Sequence, residues 1–414
     1  MDTVRADHLG CYGYHRETSP NVDRLAERSL LFEDAISQAA WTLPGHGSMF
    51  SGLYPSRLGV THYPALRRLP DVNPTLAETF MAAGYTTAGF TGGGFVSEHF
   101  GFDRGFEIYT TAGRRFEHNI DDAIGWLHSR TDRPFFLFFH GYDAHRPYYS
   151  EAEDQLALGL ATDMPKKRKG FCLGDNRRRP VDLGRVVDHY DAAIRHGDRF
   201  VGRLLDAIDE LGLGKNTVVL LTSDHGEEFY EHGHCDHVRF LYRETVAVPF
   251  IVYVPGLTPG GRRIAHAVPA TISVAATLLE LVGVAGKLPG LSLVSTIKGR
   301  QAPVDAVFSE ADSKKGHYGS RGRTVALTTK TVRLIAYPDE DKMEAYDRAN
   351  DPGEQKVLAA GDAAYLRQGE LLAWAASLSP LPRPAPLTPV GRGGKAGGLP
   401  AQLEENLRSL GYAD

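Results

Sequence analysis

Short apolar runs rich in aromatic and β-branched residues alternate along this chain with segments whose apolar residues recur every three to four positions, and that alternation limits the folds open to it. Tyr85 to Phe90, Phe135 to Phe139, Thr217 to Thr222 and Phe250 to Val254 read as buried strands. Pro74 to Ala83, Ile120 to Ser129, Val187 to Leu211 and Val274 to Val282 carry the helical period. Strand and helix in repeated succession are the rhythm of a mostly parallel sheet between helices, so the expected class is α/β. After Gly290 the runs shorten, with Arg323 to Thr328 and Val332 to Tyr337 as strands of a small C-terminal α+β subdomain. The expected organisation is one large unit over 1–295, the subdomain over 296–380, and a Pro/Gly-rich linker with a terminal helix over 381–414. Pro165 to Lys169 and Arg177 to Pro180 read as a basic surface loop, either a solvated face or an anion contact.

The charge balance, 46 basic against 51 acidic side chains in 414 residues, argues against a nucleic-acid partner. No stretch approaches the roughly 20 apolar residues of a transmembrane helix, so no transmembrane segment is expected. Cys11, Cys172 and Cys235 are odd in number and lack C-x-x-C spacing, which excludes a disulfide scaffold and a cysteine-rich zinc site. The first residues show no secretory signal.

Four segments carry chemistry. Leu220 to Thr222 runs straight into Ser223-Asp224-His225-Gly226-Glu227, which puts a carboxylate and an imidazole at the carboxyl end of a strand, where α/β sheets build their sites. Such a pair suits a divalent metal, although a strand-terminal Asp also serves as a helix N-cap. Trp41-Thr42-Leu43-Pro44-Gly45-His46 reads as a turn into a helix N-terminus, where backbone N–H groups favour an anion. Thr42 there is either a nucleophile activated by a metal or an N-cap. Phe135 to Phe139 delivers His140, Asp143 and His145 at its end, and Glu231-His232-Gly233-His234-Cys235-Asp236-His237 adds further imidazoles. So many histidines after two strand ends point to function.

In this order the segments resemble the sulfatase family of the alkaline-phosphatase superfamily. Asp2-Thr3-Val4-Arg5-Ala6-Asp7-His8-Leu9-Gly10-Cys11-Tyr12-Gly13 is similar to the family opening, and Ser19 to Ala26 to its next helix. Thr42-x-Pro44-x-His46 with Ser51-Gly52-Leu53-Tyr54-Pro55 occupies the nucleophile region. Asp224-His225-Gly226, Leu241-Tyr242-Arg243-Glu244 with Val248-Pro249, and Tyr346-Asp347 with Asp351-Pro352-Gly353-Glu354 follow in family order. The resemblance implies an alkaline-phosphatase-like catalytic domain over 1–295 and one divalent metal ion, Ca, Mg, Mn or Zn, on Asp2, Thr42, Asp224 and His225. His145 and His237 would hold the anion or protonate the leaving group, and His46, His140, Asp143 and Arg57 would contact substrate.

Three departures shape the functional expectation. Sulfatases convert Cys or Ser of C/S-x-P-x-R to formylglycine, and Thr42 and His46 replace its ends, so no formylglycine is expected. A threonine sulfate ester cannot expel sulfate by collapse of a hemiacetal, whereas a threonine phosphoester is open to a second attack at phosphorus, so the chemistry leans toward phosphate mono- or diesters. Leu53 and Ser56 stand where the family carries a basic residue and a histidine, which weakens sulfate binding. The family also places a buried strand before its first Asp, where this chain has only Met1, so a truncated or miscalled start with Asp2 on a frayed terminus is expected. The reading is a metal-dependent hydrolase of small-molecule, glycan- or lipid-linked sulfate or phosphate esters, with Thr42 as nucleophile. The alternatives are a phosphoryl or phospho-alcohol transferase and an inactive anion-binding fragment. By family analogy, an exported or periplasmic location goes with a longer precursor; oligomeric state is not legible.

Overall fold

The computed structural model describes residues 1–63, 66–71, 73–129, 133–162, 182–257, 260–286, 288–300, 304–313, 320–378 and 400–410. The basic loop expected over 165–180 and the linker beginning at 381 lie outside the described residues. Strand β1 (Leu30–Ile36) leads through helices α1 (Thr42–Ser51) and α2 (Leu76–Ala82) to β2 (Thr86–Phe90) and β3 (Ile108–Thr110). Helix α3 (Phe116–Ser129), β4 (Phe135–Phe139), the long α4 (Leu183–Glu210), β5 (Val219–Thr222), β6 (Phe250–Tyr253), β7 (Arg262–Pro269) and α5 (Ser273–Val282) complete the first part of the chain. The four strands and four helices read from the sequence are all present. Local chemistry explains sharp boundaries such as the start of α2, where Thr75 and Glu78 form a reciprocal capping box.

The fold is α/β, but its sheets are mixed. β7 and β1 are parallel, whereas β1–β6 and β6–β5 are antiparallel. β3, β2 and β4 form a separate, wholly parallel sheet. The mostly parallel sheet expected from the sequence fails at β6 for a reason of connection. A parallel return needs a crossover of a dozen or more residues, usually a helix. Between β5 and β6 the chain is long enough for a crossover but spends it on the Glu228–Phe229 and Cys235–Asp236 hairpin, the one-turn helix Arg243–Val246 and the strand Ala247–Val248, with no helix to lie across the sheet, and it re-enters antiparallel.

Two large apolar clusters cover the sheets. One joins Trp41, Phe50, Phe80, Phe100, Phe102 and Phe250; the other joins Val4, Leu9, Phe116, Tyr190, Ile194 and Ile251. β4 and β5 flank a cavity of ≈ 830 Å³ lined by Phe135 to His140 and Thr217 to Thr222. The chain start bridges the top of that cavity: the Met1 amine donates to Thr222 O at 2.9 Å and Asp2 N–H to Gly141 O at 3.3 Å. Asp2 is therefore buried and tied to both strand ends, where fraying was expected.

The C-terminal strands β8 (Val307–Ser313), β9 (Thr324–Thr328), β10 (Val332–Tyr337) and β11 (Lys342–Asp347) form an antiparallel meander. Helix α6 (Gln368–Ser377) contributes Leu371 and Ala375 to its core. Helix α7 (Ala401–Ser409) buries Leu403 and Leu407 in the cluster around Trp41. Among the described residues no helix is long and apolar enough to cross a membrane.

Candidate active site

The site lies beyond the carboxyl ends of β4 and β5, where the fold class places it. Helix α1 supplies Thr42 as its first residue; Trp41 is the N-cap and makes no side-chain capping bond. Thr42 Oγ1 stands 3.4 Å from His225 Nε2. The helix approaches so closely that a Cβ on Gly45 would lie 3.0 Å from Asp224 Cβ and 3.1 Å from Asp224 O.

Asp2, Asp224 and His225 present ligand atoms within 4.8 Å of one another, all buried. His225 Nδ1 is 2.9 Å from Gly226 O, so its proton sits there and Nε2 turns a lone pair toward Thr42 and Asp224. Burial pushes His225 down to about 4, which keeps it a neutral ligand. Burial and the facing Asp224 carboxylate push Asp2 well above the usual carboxylate range. Burial opposes ionisation of Asp224 too, but His225 and His46 hold it low. Asp2 Oδ1 and Asp224 Oδ2 are buried without a hydrogen-bond partner. Two dry carboxylates with orphaned oxygens beside a neutral imidazole and a hydroxyl fit a divalent cation. The mixed oxygen and nitrogen donor set selects no single metal.

The imidazoles continue the site outward. The rings of His225 and His237 are 4.4 Å apart, and those of His237 and His145 are 5.0 Å apart. His237 Nδ1 meets Glu227 Oε1 at 2.9 Å, and Tyr148 donates to the other Glu227 oxygen at 3.1 Å. Burial disfavours charge on His237, but Glu227 and Asp236 outweigh it and raise the imidazole above its ordinary value. Burial and the neighbouring His237 push His145 well below its own. The pair thus separates into a proton-bearing His237 and a neutral His145.

The remaining residues singled out in the sequence fall elsewhere or turn inward. His140 Nε2 faces Asp2 Oδ2 at 3.3 Å, and His46 Nδ1 faces Asp224 Oδ2 at 3.3 Å. Asp143 accepts the Phe116 N–H at 3.0 Å and lies 3.9 Å from His196, in a cluster behind the strand end. Arg57 donates to Ser377 O at 3.3 Å, at the contact with α6. His232 bonds Glu244 at 2.6 Å and Glu354 O at 2.7 Å, and His234 stacks on Phe240, both toward the C-terminal subdomain. Glu227 was not among the residues singled out, although it follows Asp224-His225-Gly226 directly. Only the Glu228–Phe229 and Cys235–Asp236 hairpin, which folds His237 back over it, shows its role.

A buried hydroxyl at a helix start, beside two carboxylates and a row of imidazoles on an α/β sheet, places the chain among the ester hydrolases. The profile of the sulfatase family matches residues 1–284, and that described as N-sulphoglucosamine sulphohydrolase, C-terminal, matches 230–369. The chain belongs to the sulfatase family, whose members generally bind a divalent metal ion. The Delta 4,5-hexuronate-2-O-sulfatase of Bacteroides thetaiotaomicron is 25% identical over 86% of this chain and 83% of its own. Human iduronate 2-sulfatase is 26% identical over 62% of this chain and 59% of its own. The crystal structure of the phosphonate monoester hydrolase of Agrobacterium radiobacter shares the fold, with a TM-score of 0.69 at 19% identity over 91% of this chain and 93% of that one.

Proposed function

We propose that this chain hydrolyses phosphate mono- or diesters, with sulfate esters as the poorer substrates, through Thr42 as nucleophile and one divalent cation on Asp2, Asp224 and His225. The observation that carries the reading is the position of Thr42 Oγ1 at the first turn of α1, next to His225 and the two orphaned carboxylate oxygens. A cation held there supplies positive charge that favours the Thr42 alkoxide and the developing charge on the ester. The α1 N-terminus adds its own positive end to the anion.

The Thr42 alkoxide attacks phosphorus, a Thr42–O–P bond forms, and the bond to the leaving oxygen breaks. The imidazolium of His237 gives its proton to that oxygen, releasing an alcohol. Neutral His237 then takes a proton from water, whose oxygen attacks phosphorus and restores Thr42. His145 stays neutral and orients the anion.

The chemistry of threonine favours phosphorus over sulfur, because a sulfated threonine has no internal route to expel sulfate. The hexuronate and iduronate sulfatases among the relatives make a glycan-linked ester a reasonable organic half. Acid quenching during turnover of an aryl phosphate, followed by peptide mass spectrometry, should find phosphate on Thr42. An unmodified Thr42 peptide under pre-steady-state conditions, with turnover intact in Thr42→Ala, would refute the reading.

A further inference from the structure

His46 and His140 each have a hydrogen position set by their surroundings. His46 Nδ1 donates to Thr42 O at 3.1 Å and stands 3.3 Å from Asp224 Oδ2, an oxygen that takes no hydrogen bond, so this nitrogen carries the proton. His140 Nδ1 receives the Gly92 N–H at 3.4 Å, which leaves the proton on Nε2, pointing at Asp2 Oδ2. Neither ring is free to turn. His46 packs edge-on against Phe102 and Phe138, and His140 lies parallel to Phe138 with its edge on Tyr142. The two rings meet edge to face at 4.7 Å and are both buried.

We infer that His46 and His140 are positioning residues for the two carboxylates a divalent cation requires: His140 holds Asp2 Oδ2 through its Nε2–H, and His46, anchored on Thr42 O, sets its N–H edge against Asp224 Oδ2 without bonding it. The inference rests on the reading of Asp2 and Asp224 as cation ligands. It replaces the substrate contact expected of these histidines, since their polar edges point at carboxylates. A second metal ion between Asp2, His46 and His140 is the competing use, because their donor atoms also lie within 4.8 Å of one another. The hydrogen on His140 opposes it, since that ring presents an N–H to Asp2 Oδ2 where a ligand would present a lone pair.

The test uses amides that mimic one ring nitrogen at a time. Asn places its NH₂ near the Nδ1 position and Gln near Nε2. The affinity and stoichiometry of Mn²⁺ are measured by calorimetry on the whole chain, with circular dichroism to verify folding. His46→Ala and His140→Ala should each weaken Mn²⁺ by about 10- to 100-fold at an unchanged stoichiometry of one. His46→Asn and His140→Gln should recover most of that loss, whereas His46→Gln and His140→Asn should not. Two ions in the wild type, falling to one in either alanine variant, would overturn the inference in favour of a second metal. Unchanged Mn²⁺ affinity in every variant would overturn it too, while leaving the cation site standing. A wild type that binds no divalent cation would instead remove the proposed function itself.

Discussion

At the scale of single residues, the division of labour between His237 and His145 is electrostatic. The two imidazoles are neighbours, but His237 Nδ1 meets the carboxylates of Glu227 and Asp236, whereas His145 Nδ1 meets the carbonyl of Arg146. Glu227→Gln keeps the shape and removes that charge, so the raised proton affinity of His237 should fall. The acid must be protonated to work, and activity is lost as pH rises through its pKa. The basic limb of the kcat/KM profile should therefore move to lower pH in Glu227→Gln, which a pH–rate series on an aryl phosphate would check. The positions of Asp224, His225 and Thr42, at a strand end and a turn entering a helix, were legible locally, but the roles expected of them came only from the family resemblance. Glu227 was not legible, because its partner is brought back by a hairpin whose pairing no local signal encodes. His46 and His140 were legible as site residues but not in their direction, which depends on rings from Phe102 and Phe138.

At the scale of elements, α1 and Asp224 are held together by a missing side chain. Gly45 lets the helix backbone rest on Asp224, and a methyl group there would press on the Asp224 Cβ and carbonyl, neither of which is a flexible tip. Gly45→Ala should cost about 1–3 kcal/mol of stability by overpacking, read as a lower midpoint in urea, and should weaken cation binding with it. Helix positions followed the 3.6 period and were read to within a few residues. Strand direction was not, because β5 and β6 look alike as apolar runs and nothing local to either encodes their antiparallel pairing.

At the scale of the whole molecule, the C-terminal meander is tied to the site through His232. The ring lies flat on Tyr242 at 3.7 Å and bridges Glu244 to the carbonyl of Glu354, whose carboxylate in turn accepts the Arg243 N–H. Burial opposes charge there, but the Glu244 bond outweighs it and pushes His232 up to about 9. A folded-state value above the ordinary ~6.5 means its contribution is complete below pH 6.5 and is lost as pH rises through about 9. His232→Ala should lose about 2 kcal/mol at pH 6 by denaturant titration, and less at pH 10. The Tyr346-Asp347 to Glu354 segment, legible only as a family pattern, thus has a structural purpose.

Chelating the proposed cation is a second global test. Without it, a proton on Asp2 relieves the repulsion from Asp224, so stability of the chelated protein should fall as pH rises from the ordinary aspartate range through the raised value of Asp2. Loading with Mn²⁺ should lift the thermal midpoint most at the alkaline end. The most direct test of the central claim compares turnover of aryl sulfate, phosphate monoester and phosphate diester by the metal-loaded protein with that of Thr42→Ala. A phosphate ester should turn over fastest and the variant should lose activity by several orders of magnitude. A preference for the sulfate ester, or an active Thr42→Ala, would contradict the account.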